Sequence, residues 1–225
     1  MSEKIPAQKL YECLLSRGIV GSCGKVFFEI HNAKYQINDN SIVENVIQAW
    51  LKSFMENNGI SYRIADNSQD FPDFFLHNDR NDIDLLEVKC FTQSANFDIA
   101  NFIAYCNSIL NCPYRLNTDY LIIEYTQTEV GINIDNIWLK KVWEICRPSK
   151  RSAINLQFKR GQIYNIRPGN WYGKGRIKYP PFTSRMEFIK AIQEVLNTHV
   201  SGDDLRKNFT NRIAELFKKQ TNQDL

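Results

Sequence analysis

A mixed α/β fold, with a central β-sheet flanked by helices, is what this 225-residue sequence predicts, and three observations point to it. Apolar runs of strand length alternate with segments of helical period, the pattern of a sheet covered by helices. A content of 43% hydrophobic and 12% aromatic residues can bury a substantial core. Two β-like runs, Phe71-Pro72-Asp73-Phe74-Phe75-Leu76 and Leu85-Leu86-Glu87-Val88-Lys89, flank the polar stretch Asn78-Asp79-Arg80-Asn81-Asp82 and read as a hairpin.

Residues 6 to 17 predict a short amphipathic helix with Leu10, Leu14 and Leu15 on one side, ended by Gly18, Gly21 and Gly24. The Gly18 to Lys25 stretch lacks the spacing of a nucleotide phosphate loop. Lys25 to Ile30 and Lys34 to Ile37 predict an antiparallel pair around His31-Asn32-Ala33. Ser41-Ile42-Val43-Glu44 fits a capping box, in which the Ser hydroxyl and the Glu carboxylate satisfy the first N–H groups of a helix. The apolar stripe of that helix is Ile42, Val43, Val46, Ile47, Trp50, Leu51 and Phe54, which leaves Glu44 and Gln48 together at one border.

Beyond the 71–89 hairpin the sequence predicts a helix over Asn96 to Leu110, a strand over Tyr120 to Tyr125 and a helix over Asp135 to Cys146. Strands Ile154 to Phe158 and Gln162 to Ile166 meet at Lys159-Arg160-Gly161, a turn with two cations at its tip. Thr183 or Ser184 with Glu187 opens a capped helix to about Asn197, and Asp203 to Lys219 predicts a last amphipathic helix.

Composition narrows the classes of function. No run of eighteen apolar residues occurs, and Met1 to Pro6 lacks a signal-peptide pattern, so a soluble cytoplasmic protein is expected, with no membrane partner. The six cysteines (13, 23, 90, 106, 112 and 146) and three histidines lack zinc-finger spacing and predict reduced, mostly buried thiols. From Lys140 to Lys190 there are thirteen Lys or Arg against two acids, a balance of +11 that leaves −8 for the rest of a chain with net charge +3. Such separation suits a polyanion facing one surface, and the interleaved Tyr164, Trp171, Tyr172 and Tyr179 with glycines suit a nucleic-acid duplex; the plainer reading is a solvated charged face.

Side-chain alternation places Leu85, Glu87 and Lys89 on one face of their strand and Leu86, Val88 and Cys90 on the other. An acid and a lysine beside Asp73 from the paired strand form a site for a hard cation such as Mg²⁺, suited to phosphodiester hydrolysis. The alternative is an exposed hairpin with a surface Glu-Lys pair.

Pro72-Asp73 with Glu87-Val88-Lys89 resembles the PD-(D/E)XK signature of a nuclease superfamily, in particular its type II restriction endonucleases. Trp138 to Ile145 and Gln162 to Pro168 are similar to one group of small restriction enzymes that cleave palindromes of the GGNNCC type. The resemblance implies a restriction-endonuclease-like core and Mg²⁺-dependent, sequence-specific cleavage of double-stranded DNA to 5′-phosphate and 3′-hydroxyl ends. It implies that Asp73, Glu87 and the Val88 carbonyl hold Mg²⁺, that Lys89 orients or helps deprotonate the attacking water, and that Glu44 adds an acid from the preceding helix. For Glu44 the capping role is the alternative.

Candidate DNA contacts are Lys159, Arg160, Arg167, Asn170, Lys174 and Arg176, with Asn96, Asp98 and Asn101 after Lys89, whose other reading is helix capping. Arg167, before Pro168, has a structural alternative. A palindromic site predicts a homodimer, with Phe188, Ile192, Leu196, Leu205, Phe209, Ile213 and Phe217 as interface candidates or, alternatively, core. One endonuclease domain over 1–225 is expected, with a catalytic core about 39–146, a basic DNA-contacting region about 147–182 and C-terminal helices 183–220. A repair or junction-resolving nuclease and a non-catalytic DNA-binding protein, in which Asp73, Glu87 and Lys89 are a structural ion cluster, are the competing functions.

Overall fold

The computed structural model describes residues 3–36, 42–65, 71–129, 131–173 and 177–225. In chain order the first elements are α1 (Ala7–Ser16), β1 (Cys23–Gly24), β2 (Phe27–Ile30), β3 (Ala33–Gln36), α2 (Val43–Asn57), β4 (Phe74–Phe75), β5 (Leu85–Phe91), β6 (Ala100–Asn101) and α3 (Phe102–Asn111). A short 3-10 turn then leads to β7 (Asp119–Thr128), β8 (Gly131–Lys141), α4 (Val142–Ile145), β9 (Leu156–Lys159), β10 (Gln162–Ile166), α5 (Arg185–His199), α6 (Asp203–Arg206) and α7 (Phe209–Thr221). Among the described residues no helix is long and apolar enough to cross a membrane.

The chain forms two compact units, Met1–Ser94 with Asp119–Lys140, and Ala95–Thr118 with Lys141–Leu225. The first is built on a five-stranded sheet ordered β1-β8-β7-β5-β4. It is mixed: β5 runs parallel to β7, from Leu86↔Asp119 to Phe91↔Glu124, while β4 is antiparallel to β5 and β1 to β8. Leu10 and Leu14 of α1 and Val43, Ile47, Leu51 and Met55 of α2 form one apolar cluster with Leu86, Val88, Leu121 and Ile123 of the sheet. Leu15, expected on the apolar side of α1, is exposed. The buried stripe is Ala7, Leu10 and Leu14, and at 100° per residue Leu15 falls outside it.

The helix expected over 135–146 is instead strand β8 followed by the single turn α4. Ile132, Ile134 and Ile137 are buried while Asn133 and Asn136 face solvent, and β8 lies between β1 and β7. The alternation starts at Gly131, so reading from Asp135 onward hides the period of two. The expected 25–37 pair is present as β2 and β3, turning through His31 and Asn32, both at positive φ (47° and 62°), as a two-residue hairpin turn requires. Ile37 and Ser41 lie outside the described residues, and with them the Ser half of the capping box.

The second unit contains a three-stranded sheet ordered β6-β10-β9 beside helices α3 to α7. The helix expected from Asn96 begins at Phe102, because Ala100 and Asn101 pair with β10. Asn101 is its N-cap, the side-chain oxygen accepting from Ala104 N–H at 3.1 Å. Replacing Asn101 by Ala should cost about 1 kcal/mol, read as a Tm lower by about 2–4 °C. Ser184 caps α5 in the expected way, accepting from Glu187 N–H at 3.2 Å while Glu187 accepts from Thr183 N–H at 2.7 Å. The expected last helix is split between α6 and α7 by Asn208 in the left-handed region. Phe188, Ile192, Leu196, Phe209, Ile213 and Phe217 are fully buried within this unit and Leu205 partly so, which makes them its core.

Candidate active site

The antiparallel register Phe74↔Leu86 and Phe75↔Leu85, continued one residue outward, sets Asp73 opposite Glu87. Phe74 and Leu76 are buried completely and anchor this short edge, and the preceding Phe71–Pro72 peptide bond is cis. On β5, an inner strand, Leu85 to Val88 are all buried, so Glu87 is carried into the interior with 7% exposure. The pair is not the surface Glu-Lys pair of the alternative reading.

Hydrogen bonds lock the three side chains together. Asp73 N–H donates to Glu87 Oε2 at 3.2 Å, and Val88 N–H donates to Asp73 Oδ2 at 2.8 Å. The other Glu87 oxygen lies 3.0 Å from Lys89 Nζ. From α2, Glu44 Oε1 lies 3.4 Å from the same ammonium. Gln48 hydrogen-bonds the Asp73 carboxylate, and the charge of Lys52 also acts on it. Glu44, Gln48 and Lys52 are spaced one turn apart, so a single helix edge serves the cluster. Sequence reasoning placed Gln48 only beside Glu44 and passed over Lys52; the i, i+4, i+8 spacing was the signal.

Burial raises Glu87 to about 7; Lys89 draws it down and Asp73 pushes it further up. Asp73 is also raised by burial, against the opposing Val88 N–H, Lys89, Gln48 and Lys52. For Lys89 burial acts downward, but the Glu87 and Glu44 carboxylates outweigh it and the net direction is up. Lys89 is therefore an ammonium at neutral pH. Burial pushes the Cys90 thiol up, and Cys90 packs against the apolar cluster, as expected for a core residue.

Among the described residues no group of three or more His, Cys, Asp or Glu side chains gathers as a metal site. What the cluster offers is two adjacent carboxylates and backbone oxygen, a hard donor set that fits Mg²⁺. Burial raises both acids and the charge of Asp73 raises Glu87 further, a cost of ionisation that a divalent cation held by the two carboxylates would offset.

In the second unit, Lys159 and Arg160 stand exposed at the β9–β10 turn, where Lys159 Nζ lies 5.0 Å from the Tyr164 ring centre, and Asn170 is exposed. Arg167 is held by the Asn96 carbonyl at 2.9 Å, Asn96 Oδ1 at 3.0 Å and Asp98 at 2.9 Å. Besides capping α3, Asn101 donates to the Tyr164 carbonyl at 3.1 Å. These contacts tie β10 to the segment before α3. Lys174 and Arg176 lie outside the described residues.

The chain matches the family model described as NgoBV restriction endonuclease over residues 4–225. It is 34% identical over 226 residues to the type II restriction enzyme NlaIV of Neisseria lactamica, covering 99% of this chain and 93% of that one. It is 32% identical over 161 residues to the type II restriction enzyme NgoBV of Neisseria gonorrhoeae, covering 70% of this chain and 91% of that one. The solved structure of NlaIV restriction endonuclease superposes with a TM-score of 0.92 at 34% identity, over 100% of this chain and 93% of its own.

Proposed function

The chain belongs to the NgoBV restriction endonuclease family of type II restriction enzymes, and we propose from that premise that it cleaves double-stranded DNA with Mg²⁺ at the Asp73, Glu87 and Lys89 cluster. The observation that carries this reading is the interlocking of Asp73 and Glu87 through backbone N–H groups, with Lys89 3.0 Å from Glu87, on two paired strands.

Asp73 and Glu87, with the Val88 carbonyl, would hold Mg²⁺. When bound, the cation stabilises charge on the phosphate and makes a water more acidic. Lys89, protonated and braced between Glu87 and Glu44, orients the attacking water and donates to oxygen as charge develops there. Its ammonium state favours that role over taking the water's proton. Glu44 keeps Lys89 aimed, and Gln48 fixes the Asp73 carboxylate. In-line attack with departure of the 3′ oxygen leaves 5′-phosphate and 3′-hydroxyl ends.

Of the candidate DNA contacts, Lys159, Arg160 and Asn170 are exposed, with Lys174 and Arg176 proposed from sequence. Arg167, Asn96 and Asn101 support this surface from within through the contacts above. The target is a palindrome of the GGNNCC type. Incubating the protein with fully sequenced phage DNA and Mg²⁺, then sequencing the ends, should give discrete fragments cut at one such motif. Intact DNA, or ends at unrelated sequences, would overturn the reading.

A further inference from the structure

Polar atoms sealed inside a protein are nearly always hydrogen-bonded, and one that is not asks for a cause. In the second unit Arg147 is half-buried, and its Nε is closed off from solvent with no hydrogen-bond partner among the described residues. Nor does any described acid form an ion pair with it. Glu144, three residues earlier, accepts from Lys141 N–H at 2.6 Å instead. The terminal nitrogens Nη1 and Nη2 are not sealed in this way, so the two donors at the end of the fork reach solvent.

The stem of this side chain is held in place. A Cβ at Gly169 would come within 2.6 Å of Arg147 Cγ and 2.8 Å of its Nε, so the side chain lies where only a glycine leaves room. Both backbones are tied down. Gly169 N–H donates to the Ile145 carbonyl at 2.7 Å, Asn155 N–H to the Arg147 carbonyl at 2.7 Å, and the Asn155 side-chain amide to the Pro168 carbonyl at 2.9 Å. Pro168 and Gly169 are buried, whereas the next residue, Asn170, is exposed, which sets Arg147 at the edge of the surface proposed for DNA.

A locked guanidinium with a sealed, unpaired N–H and no acid is costly to the free chain, and local rules are broken in this way where a ligand completes the arrangement. The two open donors call for two acceptors side by side. Guanine presents such a pair, O6 and N7, in the major groove, and a two-pronged arginine is its commonest partner. A phosphate positions the protein without needing a locked fork, and the exposed Lys150 and Arg151 nearby suffice for it. We propose that Arg147, seated against Gly169, reads a guanine by donating from Nη1 and Nη2 to its O6 and N7. The inference rests on the proposed cleavage of double-stranded DNA at a GGNNCC-type motif, and it adds a specificity-determining residue to that reading.

Fluorescence anisotropy with Ca²⁺ in place of Mg²⁺ reads binding apart from cleavage. The probes are a duplex carrying one GGNNCC motif and analogues in which 7-deazaguanine, which lacks the N7 acceptor, replaces one guanine of each half at a time. The wild type should lose affinity by roughly 10-fold or more at one of these positions. Arg147→Lys, charged but without the fork, and Arg147→Met should bind the unmodified duplex that weakly and lose nothing further on the analogue. Because it removes a sealed donor, Arg147→Met should melt at or above the wild-type temperature. A lower Tm with the 7-deazaguanine effect retained would assign Arg147 to the fold. Equal weakening on motif and scrambled duplexes, with a shallower salt dependence, would assign it to a phosphate. Either result sinks the inference. A wild type that shows the 7-deazaguanine effect but cuts nothing with Mg²⁺ keeps the guanine contact and removes the nuclease reading. One that cuts at the motif and ignores 7-deazaguanine at every position does the reverse.

Discussion

Replacing Lys89 by Met, or Asp73 by Asn, is expected to lower single-turnover cleavage by about 10³-fold, the effect of losing a charged group aimed at the reacting phosphate. Both changes are chosen to spare the fold. Asn at 73 keeps an oxygen to accept from Val88 N–H, the 2.8 Å bond that closes the β4–β5 edge, while losing the charge that would hold a cation. Met at 89 keeps the length and apolar stem of Lys, and the Glu87 it leaves behind can take up a proton, since burial already raises its carboxyl to about 7. If the three side chains were only a structural ion cluster, both variants would lose stability and keep whatever activity the protein has. Near-wild-type cutting by either variant, with thermal unfolding unchanged, would remove the proposed mechanism.

The hairpin that carries the site was legible because everything specifying it is local: two apolar runs, a polar turn, and an alternation that fixes which residues neighbour Glu87. Glu44 was legible from the border of its helix stripe. The pairing of Gln48 with Asp73 was not, because it depends on how α2 lies against β5, a tertiary relation that no single segment encodes. Arg167 shows the same limit from the other side. Its partners Asn96 and Asp98 are about seventy residues away, so a guanidinium that looks free for DNA in sequence is already engaged. The misreading of β8 has another cause: Asp135 to Cys146 satisfies a helical stripe nearly as well as a strand, and the sheet neighbours β1 and β7 decide between them.

In chelator, the protein should become less stable as pH rises from about 5 to 8. The carboxyl of Glu87 titrates at 4.5 when unperturbed and is raised to about 7 in the folded chain by burial. A folded value above the unfolded one means that its contribution is fully present below the unfolded value and is lost as pH rises through the folded one, here the window from about 4.5 to 7. Asp73, raised as well, acts in the same direction. Lys89 is protonated in both states across this window and adds no slope there. The loss is on the order of 3 kcal/mol, or a Tm lower by roughly 6–12 °C. On the proposed mechanism Mg²⁺ would bind the ionised pair and should reverse the trend, adding about 2.7 kcal/mol at a hundredfold excess over its dissociation constant. Its effect should be larger at pH 8 than at pH 5. Glu87→Gln carries no ionisable carboxyl, so it should flatten the pH dependence in chelator and abolish most of the Mg²⁺ response together. A wild-type Tm that is level from pH 5 to 8, or a Mg²⁺ shift that survives intact in Glu87→Gln, would place the cation elsewhere and separate the buried acid from the chemistry.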